Sequence, residues 1–230
     1  MSTLQNCKIV TDGLTLCLDA GNTKSYPGSG TNWSDLSGFK NNGSLINNPS
    51  YNSSNSGVIV INGSGDYIRV TNGGRFNVGI NNFTICLWVY LPVVASWNYI
   101  HLFSFDEQTN WAFKAGDSIY GPGIYFYGGN ETYRSYLGSF GNWNIQFGVW
   151  QYICISRNGS IHKAYYNGNY VGQYSNTPKS ISCTYVNIGV ASTPGEYTQQ
   201  RRGPIQFYNK ELTALEVLQN YNATKSRFGL

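Results

Sequence analysis

Charge is what this chain has least of. Asp, Glu, Lys and Arg together make up 11% of its 230 residues, and the formal net charge of +4 is spread along the sequence, with Arg201-Arg202 and Lys225-Ser-Arg227 as the local basic concentrations. Nucleic-acid binding needs basic residues gathered into a stripe that follows a phosphate backbone, so DNA and RNA are not expected as partners. No stretch reaches the twenty or so apolar residues that a membrane-spanning helix requires, and no membrane association is expected. Nothing near Met1 joins basic residues, an apolar run and a small-residue cleavage site in the manner of a secretory signal. That predicts a chain made and kept soluble in the cytoplasm of its producer unless released by lysis.

Metal and nucleophile chemistry are short of raw material too. The five cysteines, Cys7, Cys17, Cys86, Cys154 and Cys183, include no Cys-x-x-Cys pair. Cys17, Cys86 and Cys154 fall inside apolar runs, where a thiol behaves as a small buried hydrophobe; neither zinc nor a redox role is expected. The two histidines, His101 and His162, come without a Gly-x-Ser-x-Gly elbow, and each is expected to be a hydrogen-bonded structural residue and not a base.

What the chain has in abundance is the vocabulary of strands and turns. Aromatic residues reach 16%, and the 27 glycines sit in short turn clusters. In residues 14–18, Leu14, Leu16 and Leu18 alternate with Thr15 and Cys17, a strand pattern. Asn-Gly and Ser-Gly pairs close the apolar runs at 57–68 and 150–171, the second reading as a hairpin meander that turns at Arg157-Asn-Gly-Ser160 and again at Asn167-Gly168. Further strands are predicted at 58–61, 67–70, 83–91, 99–105, 111–115, 123–127, 151–157, 161–166, 170–174, 186–190 and 203–208. Strands of this length and spacing predict an all-β domain over residues 13–230, a two-sheet antiparallel jelly-roll sandwich with one short C-terminal helix. Residues 1–12 are expected to form an N-terminal arm or a first strand. Residues 22–56, rich in Gly, Ser, Asn and Pro, read as a long irregular loop pinned by Trp33 and Leu36. The helix is predicted at 213–221, where Thr213 and Glu216 make a capping box and Leu215, Leu218 and Tyr221 form an apolar stripe against the sheet edge.

The order of motifs Asp66-Tyr-Ile68, Phe83-Thr-Ile-Cys-Leu-Trp-Val89, Trp150 to Gly172, Asn187-Ile-Gly189 and Tyr208-Asn-Lys-Glu-Leu-Thr-Ala214 resembles the concanavalin A-like lectin/glucanase superfamily in its laminin-G-like form. The opening Gly13-Leu-Thr-Leu-Cys-Leu-Asp-Ala-Gly-Asn22, followed by Trp33-Ser-Asp-Leu-Ser-Gly38 and Asn41-Asn-Gly43, is similar to the variant found in structural proteins of tailed bacteriophages. The resemblance implies a sandwich that hosts lectins, hydrolases and passive structural modules alike. Its hydrolases place Glu-x-Asp-x-x-Glu or a close variant on one strand, so that paired carboxylates flank the glycosidic bond. This chain has no such motif, and its one adjacent acidic pair, Asp106 and Glu107, points to opposite faces of a strand. No catalytic residue is expected. Family members often hold calcium with a carboxylate near the strand that carries Asp66 and a second acid on the last core strand. Asp66 matches the first position, but Pro204 and Gln206 stand where the second acid is common, so calcium is an implication that rests on Asp66 alone.

The expected function is that of a non-enzymatic, lectin-like phage virion protein, as capsid decoration, fibre or tail-associated module, binding host or environmental glycans. Sugar sites join an apolar floor to a few placed polar groups, and residues 97–136 offer Trp97, Asp106, Trp111, Tyr125, Tyr127, Asn130, Glu131, Tyr133 and Arg134 for that purpose. The expected partners are phage capsid or tail proteins, glycans and further copies of the chain on the particle. Two alternatives stay open. One is a purely structural assembly module that docks through its arm or a sheet edge by strand addition; the other is a polysaccharide-degrading enzyme.

Overall fold

Two antiparallel sheets make up the fold of this computed structural model, which describes residues 8–71, 76–93, 100–105, 112–117, 121–127, 134–135, 145–175, 177, 180–191 and 196–230. The strands are β1 (Leu14–Leu18), β2 (Asn32–Trp33), β3 (Gly43–Ile46), β4 (Ser50–Asn52), β5 (Val58–Ile61), β6 (Tyr67–Thr71), β7 (Phe83–Tyr90), β8 (His101–Phe105), β9 (Ala112–Asp117), β10 (Gly121–Tyr127), β11 (Arg134–Ser135), β12 (Trp150–Asn158), β13 (Ile161–Tyr166), β14 (Asn169–Ser175), β15 (Tyr185–Ile188) and β16 (Gln200–Tyr208), followed by the helix α1 (Ala214–Thr224). The first sheet runs β14-β13-β12-β7-β16-β5-β4, with β1 also paired to β16, and the second runs β11-β10-β9-β8-β15-β6-β3-β2. The expected all-β sandwich with one short C-terminal helix is what the chain forms.

β7 shows why the central strands read as unbroken apolar runs. Phe83, Ile85, Leu87 and Val89 enter the core between the sheets, while Cys86 and Trp88 face the other way into a second buried cluster under α1 and the C-terminal tail. A strand covered on both faces has no polar alternation to show. The outer layer is closed by ring stacking, with Phe228 lying 4.2 Å and Tyr221 5.8 Å from Trp88, and by the Trp88 indole N–H donating to Thr224 Oγ1 at 2.8 Å. Gly203 makes the approach possible, since a Cβ there would lie 2.7 Å from the Phe228 ring. Pro204, which cannot donate to a ladder, sits within the bulge between Arg202 and Ile205.

Several local expectations are corrected. β1 does not alternate regularly, because a bulge at Thr15 shifts its register against β16; Leu16 and Leu18 enter the main core while Leu14 joins Cys17 in the outer cluster. Residues 22–56 contain β2, β3 and β4. Trp33 is fully buried there as expected, but the Leu36 side chain is exposed, and the second anchor is Asp35. Its carboxylate accepts from Cys17 N, Ser37 N, Ser37 Oγ and Asn41 N at 2.6–3.0 Å. The capping box of α1 is present, yet the buried positions are Val217, Asn220 and Thr224, and Leu215 is 78% exposed. The face that packs is set by what already lies beneath it. Asn220 is drawn inward because it accepts from Val10 N–H and donates to the Tyr208 hydroxyl. Residues 8–10 accordingly lie along the helix and form no strand, with Val10 C=O taken by Tyr208 and Lys8 C=O by Gln219.

Two buried basic side chains lie between the sheets, and neither has a carboxylate partner among the described residues. Arg202, fully buried, donates from Nη2 to Leu102 O at 2.6 Å, and its Nε and Nη1 have no partner. His162 is equally enclosed, stacked 5.3 Å from Phe126, with neither ring nitrogen hydrogen-bonded. It is a packing residue, and the expectation of a hydrogen-bonded histidine fails there.

Removing the buried charge of Arg202 while keeping its volume should help the fold, because a poorly paired interior ion costs more than it returns. Arg202→Met is expected to raise stability by roughly 1–4 kcal/mol; a lower melting temperature in calorimetry would show the guanidinium to be productively paired. Burial, and then Arg157 across the strand pair, push the His162 pKa down from 6.5 to about 4. Between these values the unfolded chain binds a proton that the folded chain refuses. Stability is therefore complete above pH 6.5 and falls by about 3 kcal/mol as pH drops to 4. Denaturant midpoints across that interval should fall more steeply for the native chain than for His162→Leu, which keeps the contribution of the buried His101; equal slopes in both proteins would refute the assignment.

Candidate functional site

The outer face of the first sheet is closed by α1 and the tail, whereas no described helix crosses the outer face of the second. Alternation along β6 sends Ile68 and Val70 into the core and turns Tyr67 and Arg69 outward; β15 does the same with Val186 and Ile188 inward and Tyr185 and Asn187 outward. Register then builds a row across the sheet. Ser44 pairs with Arg69, Arg69 with Asn187, Asn187 with Ser104, Ser104 with Ala112, and Ala112 with Tyr127.

Arg69 is the centre of the open part of this row. Its guanidinium carbon lies 4.1 Å from the Tyr185 ring centroid and 5.4 Å from that of Tyr67, and Nε donates to Asn187 Oδ1 at 3.0 Å. Tyr67 in turn lies 6.3 Å from Tyr197. Asn187 is fully buried, Arg69, Tyr185 and Tyr197 are half-buried, and Ser44 and Thr71 are exposed. A guanidinium held by stacking and by a buried amide keeps its planar fork in one orientation. Tyr67 is buried, so the fork, which donates to adjacent hydroxyls, has the half-buried Tyr185 and Tyr197 beside it as the apolar element, the pair of features a sugar ring requires.

At the end of the sheet, His101 Nε2 lies 2.8 Å from Glu196 Oε2 and Nδ1 lies 3.3 Å from Ser104 Oγ. Serine, histidine and carboxylate in contact invite a catalytic reading, but the geometry is structural. Ser104 is fully buried and its hydroxyl donates to Val190 O at 3.0 Å, so no nucleophile faces a substrate. Burial holds the His101 pKa below its ordinary value despite Glu196, and the hydrogen bond from His101 holds the Glu196 carboxyl below the usual range. A neutral imidazole donating to a carboxylate fits both directions. His101 is the hydrogen-bonded structural histidine that was expected.

Away from this row, a concavity of about 580 Å³ opens between the 77–82 loop and Asn209 and Lys210. Arg157 supports it from below by donating to the carbonyls of Gly79 and Asn81. Asn81 and Asn82 line it, with Ile80, 61% exposed, as the apolar element. Asn82 Oδ1 is occupied by Gly159 N–H, and Lys210 is held by Asp12 and Glu216 at 2.6 and 2.9 Å.

Of the residues singled out from sequence, Tyr125, Tyr127 and Arg134 come to the second sheet, where Tyr125 pairs with Lys114 and Tyr127 with Ala112 and Arg134. Trp97, Asp106, Trp111, Asn130, Glu131 and Tyr133 lie outside the described residues. Asp66 is buried and serves its own loop, its carboxylate accepting from Asn62 N and Gly63 N at 2.9–3.1 Å. The described residues do not fit calcium there. The Asp66 oxygens are taken by backbone donors, Gln206 is buried on the first sheet beside Cys86, and among the described residues no three His, Cys, Asp or Glu side chains gather around a common point. Tyr67, Arg69, Tyr185 and Asn187 escaped sequence reasoning. Their signal was the alternation in Tyr67-Ile68-Arg69-Val70 and Tyr185-Val186-Asn187-Ile188, where every second residue is polar or aromatic.

No curated protein sequence matches the chain significantly. Among solved structures, Domain 4 of AbnA, a GH43 extracellular arabinanase from Geobacillus stearothermophilus, in complex with arabinotriose, superposes with a TM-score of 0.68 at 18% identity, covering 92% of this chain and 98% of that one. The binding domain of botulinum neurotoxin serotype D gives 0.70 at 16% identity, covering 93% of this chain and 52% of that one. The binding domain of Paraclostridial Mosquitocidal Protein 1 gives 0.68 at 20% identity, with the same coverages of 93% and 52%. The chain thus spans about half the length of the two toxin binding domains, and at these identities the likeness is one of fold. The Laminin_G_3 family model matches residues 62–218, more than half of the sequence. The chain belongs to the concanavalin A-like lectin/glucanases superfamily.

Proposed function

We propose that the protein is a non-catalytic carbohydrate-binding module that takes its sugar on the open part of the second sheet, around Arg69. The observation that carries this reading is the clasp itself, a guanidinium fixed by Tyr185, Tyr67 and the buried amide of Asn187 on a sheet face that no described helix crosses. A neighbouring fold, Domain 4 of AbnA, was solved in complex with arabinotriose, which supports a sugar as the class of ligand.

The non-catalytic part of the reading is supported by how the described carboxylates are used. Asp19 pairs with Arg227, Glu211 with Lys163, Glu216 and Asp12 with Lys210, and Glu196 with His101. Asp35 and Asp66 accept backbone N–H groups. Glycoside hydrolysis needs two carboxyl groups facing one bond, and these are each committed elsewhere. In the finer reading, copies of the module are displayed on a phage virion, where weak single contacts gain avidity from their number. That setting rests on the opening motifs. Assembly through the arm is less favoured, since Val10 already has both backbone polar groups bonded within the domain.

The test is a glycan-array screen followed by calorimetric titration of the best ligand. Arg69→Ala and Tyr185→Ala should each weaken binding at least tenfold, about 1.4 kcal/mol, with the melting temperature little changed. Asn81→Ala, in the loop-end concavity, should bind as the native protein does. Binding lost in Asn81→Ala and retained in Arg69→Ala would move the site, and a blank array from well-folded protein would remove the function.

A further inference from the structure

Cys86 and Cys154 face each other across β7 and β12 in register. Both are fully buried in the cluster beneath α1, and their sulfurs lie 2.9 Å apart. The kind of pair they form follows from Tyr152, two residues before Cys154. Tyr152 turns both backbone polar groups toward the β13 side, its N–H donating to Asn167 Oδ1 at 2.9 Å and its C=O accepting from Asn167 N at 2.8 Å. Backbone direction alternates along a strand, so Cys154 also bonds toward β13 and forms a non-hydrogen-bonded pair with Cys86 on the β7 side. Such pairs bring Cα atoms to about 4.5 Å with side chains closest, inside the range that a disulfide spans.

The other described cysteines have no such geometry. Cys17 faces the same outer cluster, but Gln206 of β16 stands between it and Cys86 in the register. Two strand spacings, roughly 9–10 Å, are too far to bridge. Cys183 belongs to the core on the other side of the sheet.

We propose that Cys86 and Cys154 are a disulfide site, joined when the chain folds in an oxidising medium and left as two thiols in a reducing one. With oxidised glutathione as the oxidant, one cysteine thiolate attacks a glutathione sulfur. The glutathione S–S bond breaks, one reduced glutathione leaves, and a mixed disulfide remains. The second cysteine, as thiolate, then attacks the protein sulfur of that mixed disulfide and expels the second reduced glutathione. The protein sulfurs lose two electrons and two protons, which leave on the two glutathione thiols. Burial pushes the Cys154 pKa well up, so the exchange belongs to the stage before α1 and the tail close over the strands, when a thiolate is still accessible.

The experiment is to refold the full chain in a glutathione redox buffer, alkylate it in denaturant without reduction, digest it and identify the linked peptides by mass spectrometry. A single linkage joining Cys86 to Cys154 is expected, with Cys17 and Cys183 alkylated, and reduction of the refolded protein should lower its melting temperature by on the order of 10 °C. Cys17→Ser should leave the linkage intact. Five alkylated cysteines after oxidative refolding would overturn the proposal, as would linkages scattered among Cys7, Cys17 and Cys183.

Discussion

The fold depends on the closure of Phe228 onto Trp88 over Gly203. β7, β12 and β16 carry Trp88, Tyr152 and Tyr208 on the side of the first sheet that faces away from the core, and each aromatic exposes on the order of 150–250 Å² when left uncovered. A two-layer sandwich would leave that surface in water. The tail removes it, and does so because residue 203 has no side chain to hold Phe228 away. Asn220 and Thr224 then receive their buried partners, and residues 8–10 find a helix to lie along.

This third layer makes the molecule asymmetric. The central strands of one sheet, β7, β12 and β16, are buried on both faces and spend their outward residues on packing; the other sheet keeps a polar row that grades from the buried Ser104 and Asn187 to the exposed Ser44. The polar groups of that row are not loosely solvated. Arg69 is stacked and hydrogen-bonded by its own neighbours, which hold its guanidinium in one orientation.

Much of the fold was legible because strand periodicity is a local property. Residues 14–18, 58–61 and 161–166 are read from sequence with the boundaries they have in the structure. β2, β3 and β4 were hidden, since short strands in a Gly-, Ser- and Asn-rich stretch owe their form to the neighbours they pair with. The buried side of α1 was misread for a related reason: Leu215 looks like a packing residue until Val10 and Tyr208 claim Asn220. The proximity of Cys86 and Cys154 was not legible at all, as register between strands 68 residues apart is written in no single segment. Of the candidate sugar-binding residues, Tyr125, Tyr127 and Arg134 fall on strands of the second sheet, an assignment their sequence does not carry. Arg69 was passed over because the alternation in Tyr67-Ile68-Arg69-Val70 marks an outward side chain but not its partners, Tyr185 and Asn187, which the strand beside it supplies.

The bonds that hold the first and last described segments also orient the molecule. Lys8 is tied to α1 through Gln219, and Arg227 meets Asp19 in a bidentate pair at 2.8 and 3.0 Å. Both segments therefore belong to the layer behind the first sheet. Any load applied through either segment would reach the domain from behind the first sheet, on the side opposite Arg69.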